Sequence, residues 1–165
     1  MSRFYEIPDY PEKASGPSIL TRLLDGLGFR FYWSTEGLRD EDYSYRPSHD
    51  SRSIDEIVRH IWGLVNWVCV SIVDVNFEKP TEIEFVRNSI LDMLSNLRDT
   101  IFSLSDGDLE KIQIEHRSRA RPFWHLINGP ISDALTHVGQ INSFRRLSGN
   151  PSSKVSVFLG LPPNA

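Results

Sequence analysis

The amino-acid sequence predicts an all-α protein: a four-helix bundle with a long elaborated connection between its third and fourth helices. Three observations predict it. Apolar residues recur at three- and four-residue spacing through four separate segments. Each segment is bounded by capping residues, Gly or Pro. The composition is that of a folded globular chain: 165 residues, 39% hydrophobic and 24% charged. That is enough for one proper core and too little for a second domain. The expected organisation is a single domain over 1–165, with an N-terminal arm at 1–15 and a C-terminal tail at 151–165.

The first segment follows Pro17, which suits a first helical turn. It carries Ile19, Leu20, Leu23, Leu24 and Leu27, and runs on to Phe31 and Leu38. Gly26 and Gly28 weaken it by about 1 kcal/mol each against Ala, and leave room for close approach by a neighbour. The second opens with Ser53 and Glu56, the spacing of a capping box. Ile54, Ile57, Val58, Ile61, Leu64, Val65 and Val68 continue its stripe. The third repeats the device with Thr81 and Glu84 after Pro80, and ends near Ser105-Asp106-Gly107. The fourth begins around Asn128-Gly129-Pro130 and stops at Gly149-Asn150-Pro151. Between the third and fourth, "KIQIEHR" alternates and predicts a short strand. In the tail, Val155 to Leu161 form a small apolar patch able to dock on the bundle.

Several function classes fall away. A net charge of -4 argues against a general nucleic-acid binder. The single Cys69 leaves no internal disulfide and no Cys-rich zinc site; it reads as a small core residue. The N-terminus lacks an apolar signal region, and the longest apolar run, "IWGLVNWVCVSIV", is short of the roughly 20 residues of a membrane span. The expectation is a cytoplasmic protein without membrane or nucleic-acid partners. No Ser-His-Asp order, phosphate loop or nucleotide fingerprint is present.

Three polar residues stand where core residues are expected. His60 lies among Ile57, Val58, Ile61 and Leu64, and an unpaired imidazole there is costly to desolvate. Asp133 and His137, four apart, share one side of the fourth helix. Two imidazoles and a carboxylate from facing helices can hold zinc, nickel or ferrous iron with open coordination positions. Asp133 and His137 can equally form a plain hydrogen-bonded pair, with Asp133 favoured at a helix start by the dipole.

The run "YRPSHDSRSIDEIVRHIWGLVNW" resembles the DinB/YfiT-like family of bacterial metal-binding bundles, through Arg46, Pro47, Ser53, His60 and Trp62. The fourth helix is similar to the family's His-x-x-x-His-x-Gly-Gln run, here Asp133, His137, Gly139 and Gln140, followed by Leu147 and Gly149. The likeness covers most of residues 17 to 151. It implies His60, Asp133 and His137 as ligands of a divalent metal, zinc or nickel foremost and iron next. Asp133 replaces the His of many members; a carboxylate there is similar to mycothiol-dependent maleylpyruvate isomerase. Val138 replaces the usual Arg. The resemblance also implies a homodimer and an up-down-down-up bundle. The short link at Asn76 to Pro80 instead predicts antiparallel second and third helices.

Other candidates surround this set. Gln140, one turn beyond His137, either supports it or caps a buried carbonyl. Arg117, Arg119 and Arg121, beside Phe123 and Trp124, form either an anion clamp over a pocket or a solvated loop paired with surface acids. Trp62, Trp67 and Phe144 are core residues or cavity walls, and His49, His116 and His125 are expected to be exposed. Two functions follow. One is a metal-dependent enzyme acting on a small-molecule substrate: a transferase of a low-molecular-weight thiol, a thiol-dependent isomerase or a hydrolase, with the Arg loop orienting an acidic substrate. The other is a non-catalytic binding or stress-associated bundle whose metal is structural or absent.

Overall fold

The computed structural model describes residues 3–73 and 75–164. In chain order the elements are α1 (Gly16–Thr35), the one-turn α2 (Asp40–Tyr43), α3 (Ile54–Val73), α4 (Ile83–Phe102), α5 (Asp106–Lys111), β1 (Gln113–His116), β2 (Arg119–Pro122), the single turn α6 (Trp124–Leu126) and α7 (Ser132–Leu147). The four long helices α1, α3, α4 and α7 enclose one core. A two-stranded antiparallel hairpin, β1–β2, belongs to the connection between α4 and α7.

Local chemistry sets most boundaries. Ser15 caps α1 by accepting the Ser18 N–H, and Pro17 follows in the first turn. At α3 the capping box forms: the Ser53 N–H donates to Glu56 Oε2 at 2.7 Å, and the Glu56 N–H to Ser53 Oγ at 3.3 Å. The Thr81–Glu84 box does not form. The cap of α4 is Glu82, without a side-chain bond, and the Thr81 carbonyl instead accepts from Arg59 Nη2. At the end of α7, Gly149 takes a left-handed φ of 82°. The Asn150 N–H then turns back to the Arg145 carbonyl.

The direction of the helices departs from the expectation for a short link. Along α3 and α4, Trp62 meets Ser89 and Cys69 meets Met93, so the two numberings rise together and the helices are parallel. Residues 75 to 82 run back along α3. The Phe77 N–H donates to Asn66 Oδ1, Asn66 Nδ2 donates to Asn76 Oδ1, and Lys79 Nζ donates to the Arg59 carbonyl. The physical reason is reach. Extended chain covers about 3.3 Å per residue against about 1.5 Å in a helix, so a short extended segment retraces most of a long helix. Asp25–Arg98 and Thr35–Arg87 make α1 and α4 antiparallel, and Arg52–His137 and His60–Asp133 do so for α3 and α7. The order is therefore up-down-down-up.

Core packing follows the apolar stripes. Phe29, Phe31, Ile57, Ile61, Ile90, Met93 and Leu97 are fully buried. Cys69 lies among them, and burial pushes its thiol up to about 12, so it remains an unreactive core group. Phe144 is half-buried and meets the Tyr45 ring edge-on. The close approach at Gly28 is made by Phe4 of the N-terminal arm, whose ring leaves no room for a Cβ. The tail docks on that arm: the Ile7 N–H donates to the Gly160 carbonyl at 2.9 Å, while Phe158 stays 90% exposed. By length and composition α3 could cross a membrane, with mean hydropathy 1.3 in its best window. Its apolar side faces the core, and its remaining surface carries Arg59, His60 and Asn66.

Arg145 is a buried cation, 2% exposed, that joins the ends of α1 and α7. Its guanidinium donates to the carbonyls of Ser34, Glu36, Gly37 and Asn150. Burial pushes its pKa down, with Asp42 opposing. Replacing it takes this donor from the buried Ser34 carbonyl and from the partly buried bonds to Glu36 and Asn150, and a buried acceptor left unpaired costs about 1–3 kcal/mol. Arg145→Met should therefore lower the unfolding free energy by about 3 kcal/mol or more, measured by urea denaturation; an unchanged midpoint would contradict this account.

Candidate metal centre

The polar residues of α3 and α7 meet because those helices are antiparallel neighbours. His60 lies two turns into α3. Asp133 and His137 lie in the first turns of α7, preceded by a π turn over Ile127–Ile131. That turn contains Gly129, at φ -90° and ψ -106°, and Pro130, which has no N–H to continue an α-helical ladder. The Ser132 hydroxyl donates to the Ile127 carbonyl at 2.6 Å and closes it. Regular helix thus begins immediately before Asp133, later than Asn128.

The three side chains converge. His60 Nε2 stands 3.2 Å from Asp133 Oδ2, and His137 Nε2 stands 3.5 Å from Asp133 Oδ1. The two imidazole rings lie perpendicular with centroids 4.6 Å apart. One donor atom from each residue lies within 4.8 Å of the others. Metal–nitrogen and metal–oxygen bonds of about 2.0–2.2 Å place paired donors some 3–4 Å apart; the 3.2 and 3.5 Å contacts lie in that range, and separations of up to 4.8 Å have to close for the three residues to share a divalent cation. The His137 side chain is 10% exposed, against 32% for His60 and 47% for Asp133. The cluster is therefore anchored on one side and open on the other.

Second partners set the imidazole chemistry. His137 Nδ1–H donates to Gln140 Oε1 at 2.7 Å, which leaves the Nε2 lone pair facing the cluster. Burial pushes His60 below its ordinary pKa, with the Asp133 hydrogen bond opposing and the charge of Arg52 adding to the lowering. A neutral ring is the form that binds a metal.

The remaining candidates separate. Trp62, two residues past His60, is turned about the helix toward α4, where its Nε1–H donates to Ser89 Oγ at 3.0 Å. It is a core residue away from the cluster. Arg117 sits in the hairpin turn with φ 53°. Arg119 is exposed, while Arg121 pairs across from buried Ile114 and has its Nε enclosed without a hydrogen-bond partner. Among the described residues, none of the three forms an ion pair with a carboxylate.

His49 is exposed, but His116 and His125 are not free loop residues. Their Nδ1 and Nε2 are 2.9 Å apart, and both rings pack on Trp67, with centroids at 5.1 and 5.9 Å. This pair clasps the hairpin and α6 to α3, two turns beyond His60. Nothing local in the sequence marks it, because the two histidines are brought together by the β1–β2 turn. Arg52 was also outside the sequence candidates; its Nη1 lies 3.5 Å from His137 Nε2.

No family model matches the sequence, and no curated protein does. Among solved structures, the chain is similar to a DinB-like protein, YjoA, from Bacillus subtilis. The TM-score is 0.64 at 15% identity, covering 84% of this chain and 96% of that one. The chain has a DinB-like fold, and within it a two-His, one-Asp cluster of metal-binding type.

Desolvation lowers the pKa of His116, helped by the neighbouring His125, Arg117 and Arg121. Its folded pKa therefore lies below the unfolded value of about 6.5, and the folded state holds fewer protons. The stabilising contribution is present above that value and is lost as pH falls toward and through the folded pKa. Hydrogen exchange corrected for intrinsic rates should show residues 113–122 losing protection between pH 7.5 and 5. Constant protection would argue against the clasp.

Proposed function

We propose that the protein is a divalent-metal-dependent enzyme of the DinB-like kind, its ion held by His60, Asp133 and His137 between α3 and α7. The observation that carries this reading is the convergence of two imidazole nitrogens and a carboxylate at a partly open place in the bundle. A structural ion is normally closed in by four protein ligands, whereas three ligands and an open side leave a position for a reactant. Zinc or nickel suits this donor set best, with iron next.

A divalent ion in such a site lowers the pKa of a bound water or thiol and so supplies a nucleophile at neutral pH. The chain's own residues would do the rest. His137 is oriented by Gln140, Asp133 offers one oxygen toward each imidazole, and burial favours the neutral form of His60. The reaction class is transfer of a low-molecular-weight thiol to an electrophile, a thiol-dependent isomerisation, or hydrolysis of a small molecule. The hairpin arginines Arg117, Arg119 and Arg121 would steer an acidic substrate toward the cluster. Assembly as a homodimer belongs to the same proposal, supported by exposed Phe85 and Phe102 on α4.

A second reading has one observation in its favour. Asp133 already accepts a hydrogen bond from His60 without an ion, as a purely structural polar contact would. Metal analysis of protein purified without a nickel column separates the two. The enzyme reading expects one ion per chain, lost in His60→Ala and His137→Ala with folding retained. Gln140→Ala should weaken metal affinity by about 10- to 100-fold. Thiol transfer to small electrophiles should vanish in His137→Ala. Metal-free wild-type protein, together with a loss of stability in His60→Ala and His137→Ala, would leave only the structural contact.

A further inference from the structure

We propose that Arg52 is the anion-binding residue of this centre and makes it selective for small molecules carrying a carboxylate or similar anionic group. This rests on the metal reading above. Arg52 immediately precedes the Ser53 cap of α3, and its guanidinium Nη1 lies 3.5 Å from His137 Nε2. That atom is the one the Gln140 hydrogen bond leaves free to bind an ion. A cation thus stands beside the donor set proposed to hold a metal ion.

The nearby acids are held by other partners, and Glu56 acts on Arg52 only through its charge, without a contact. Asp55 is taken by Arg59 Nε at 2.9 Å. Glu56 accepts the Ser53 N–H and pairs with Arg46. Among the described residues, no carboxylate forms an ion pair with Arg52. With an ion bound, two positive charges of the metal and one of Arg52 face one acidic side chain within the cluster, Asp133, while Glu56 is shared with Arg46 and the Ser53 N–H. Coulomb repulsion between the guanidinium and the ion is relieved when an anion sits between them. A carboxylate is suited to that place, with one oxygen toward the ion and the other accepting from the guanidinium. The capping box fixes the backbone from which Arg52 extends, while its exposure leaves the side chain free to swing off His137 as an ion enters.

The test uses the full chain loaded with cobalt(II), whose visible absorption reports ligands added to the ion. Acetate and imidazole are the probes, titrated into wild type, Arg52→Gln and Arg52→Lys. The expected result is one cobalt per chain in all three. Acetate should bind about tenfold or more weaker in Arg52→Gln, as loss of a charge-assisted contact implies, with partial recovery in Arg52→Lys and unchanged imidazole affinity throughout. Equal acetate affinity in wild type and Arg52→Gln would overturn the proposal and leave the metal reading standing. So would a loss shared equally by acetate and imidazole, since Arg52 would then act on the ion's site and not on the anion. A wild type that takes up no cobalt would sink the metal reading and this inference together.

Discussion

The extended return of residues 75 to 82 along α3 is the constraint on which the arrangement depends. Asn66 holds it by donating to Asn76 and accepting from Phe77, and Arg59 and Lys79 hold its later part. Because this segment comes back to the start of α3, α4 runs parallel to α3. The elaborated connection after α4 then delivers α7 antiparallel to α3. A tight α3–α4 turn would have reversed α4 and changed which ends of the helices meet. The open end of the bundle owes its three converging donors to that crossover.

Polar groups inside this bundle are placed in two distinct ways. Arg145 and the Asp25–Arg98 pair join long helices and have their hydrogen bonds met by protein. Burial raises the Asp25 carboxyl, and Arg98 opposes the rise. The His60–Asp133–His137 cluster differs, because it brings two imidazole nitrogens and a carboxylate to a common, partly open point. The first kind specifies helix packing. The second is what a binding site requires: fixed donors, a supporting hydrogen bond at Gln140, and access from one side.

The connection between α4 and α7 has a positional role. Its hairpin and α6 are fastened to α3 through His116, His125 and Trp67, on the same side of α3 as His60. The π turn that follows ends immediately before Asp133. Chain that is irregular by helical standards therefore sets the start of α7 and holds the hairpin against α3 two turns from His60. Arg52 approaches the same cluster from the other end of α3, so a cationic residue stands at the cluster and three more lie on the hairpin.

The bundle was legible in the sequence wherever a signal is local. Apolar stripes, the Ser53–Glu56 box and the Gly149 stop depend on residues within a turn or two of one another. The alternation in "KIQIEHR" likewise marked the hairpin's first strand. His60, Asp133 and His137 were legible as anomalies, since polar residues on apolar faces need partners. The direction of α4 was decided only in three dimensions, because helix length and extended-chain reach together determine whether a short link turns or retraces. The same holds for the Trp62 orientation, the His116–His125 clasp and the place of Arg52. Each depends on where a side chain points relative to chain many residues away, and short-range spacing carries no record of that.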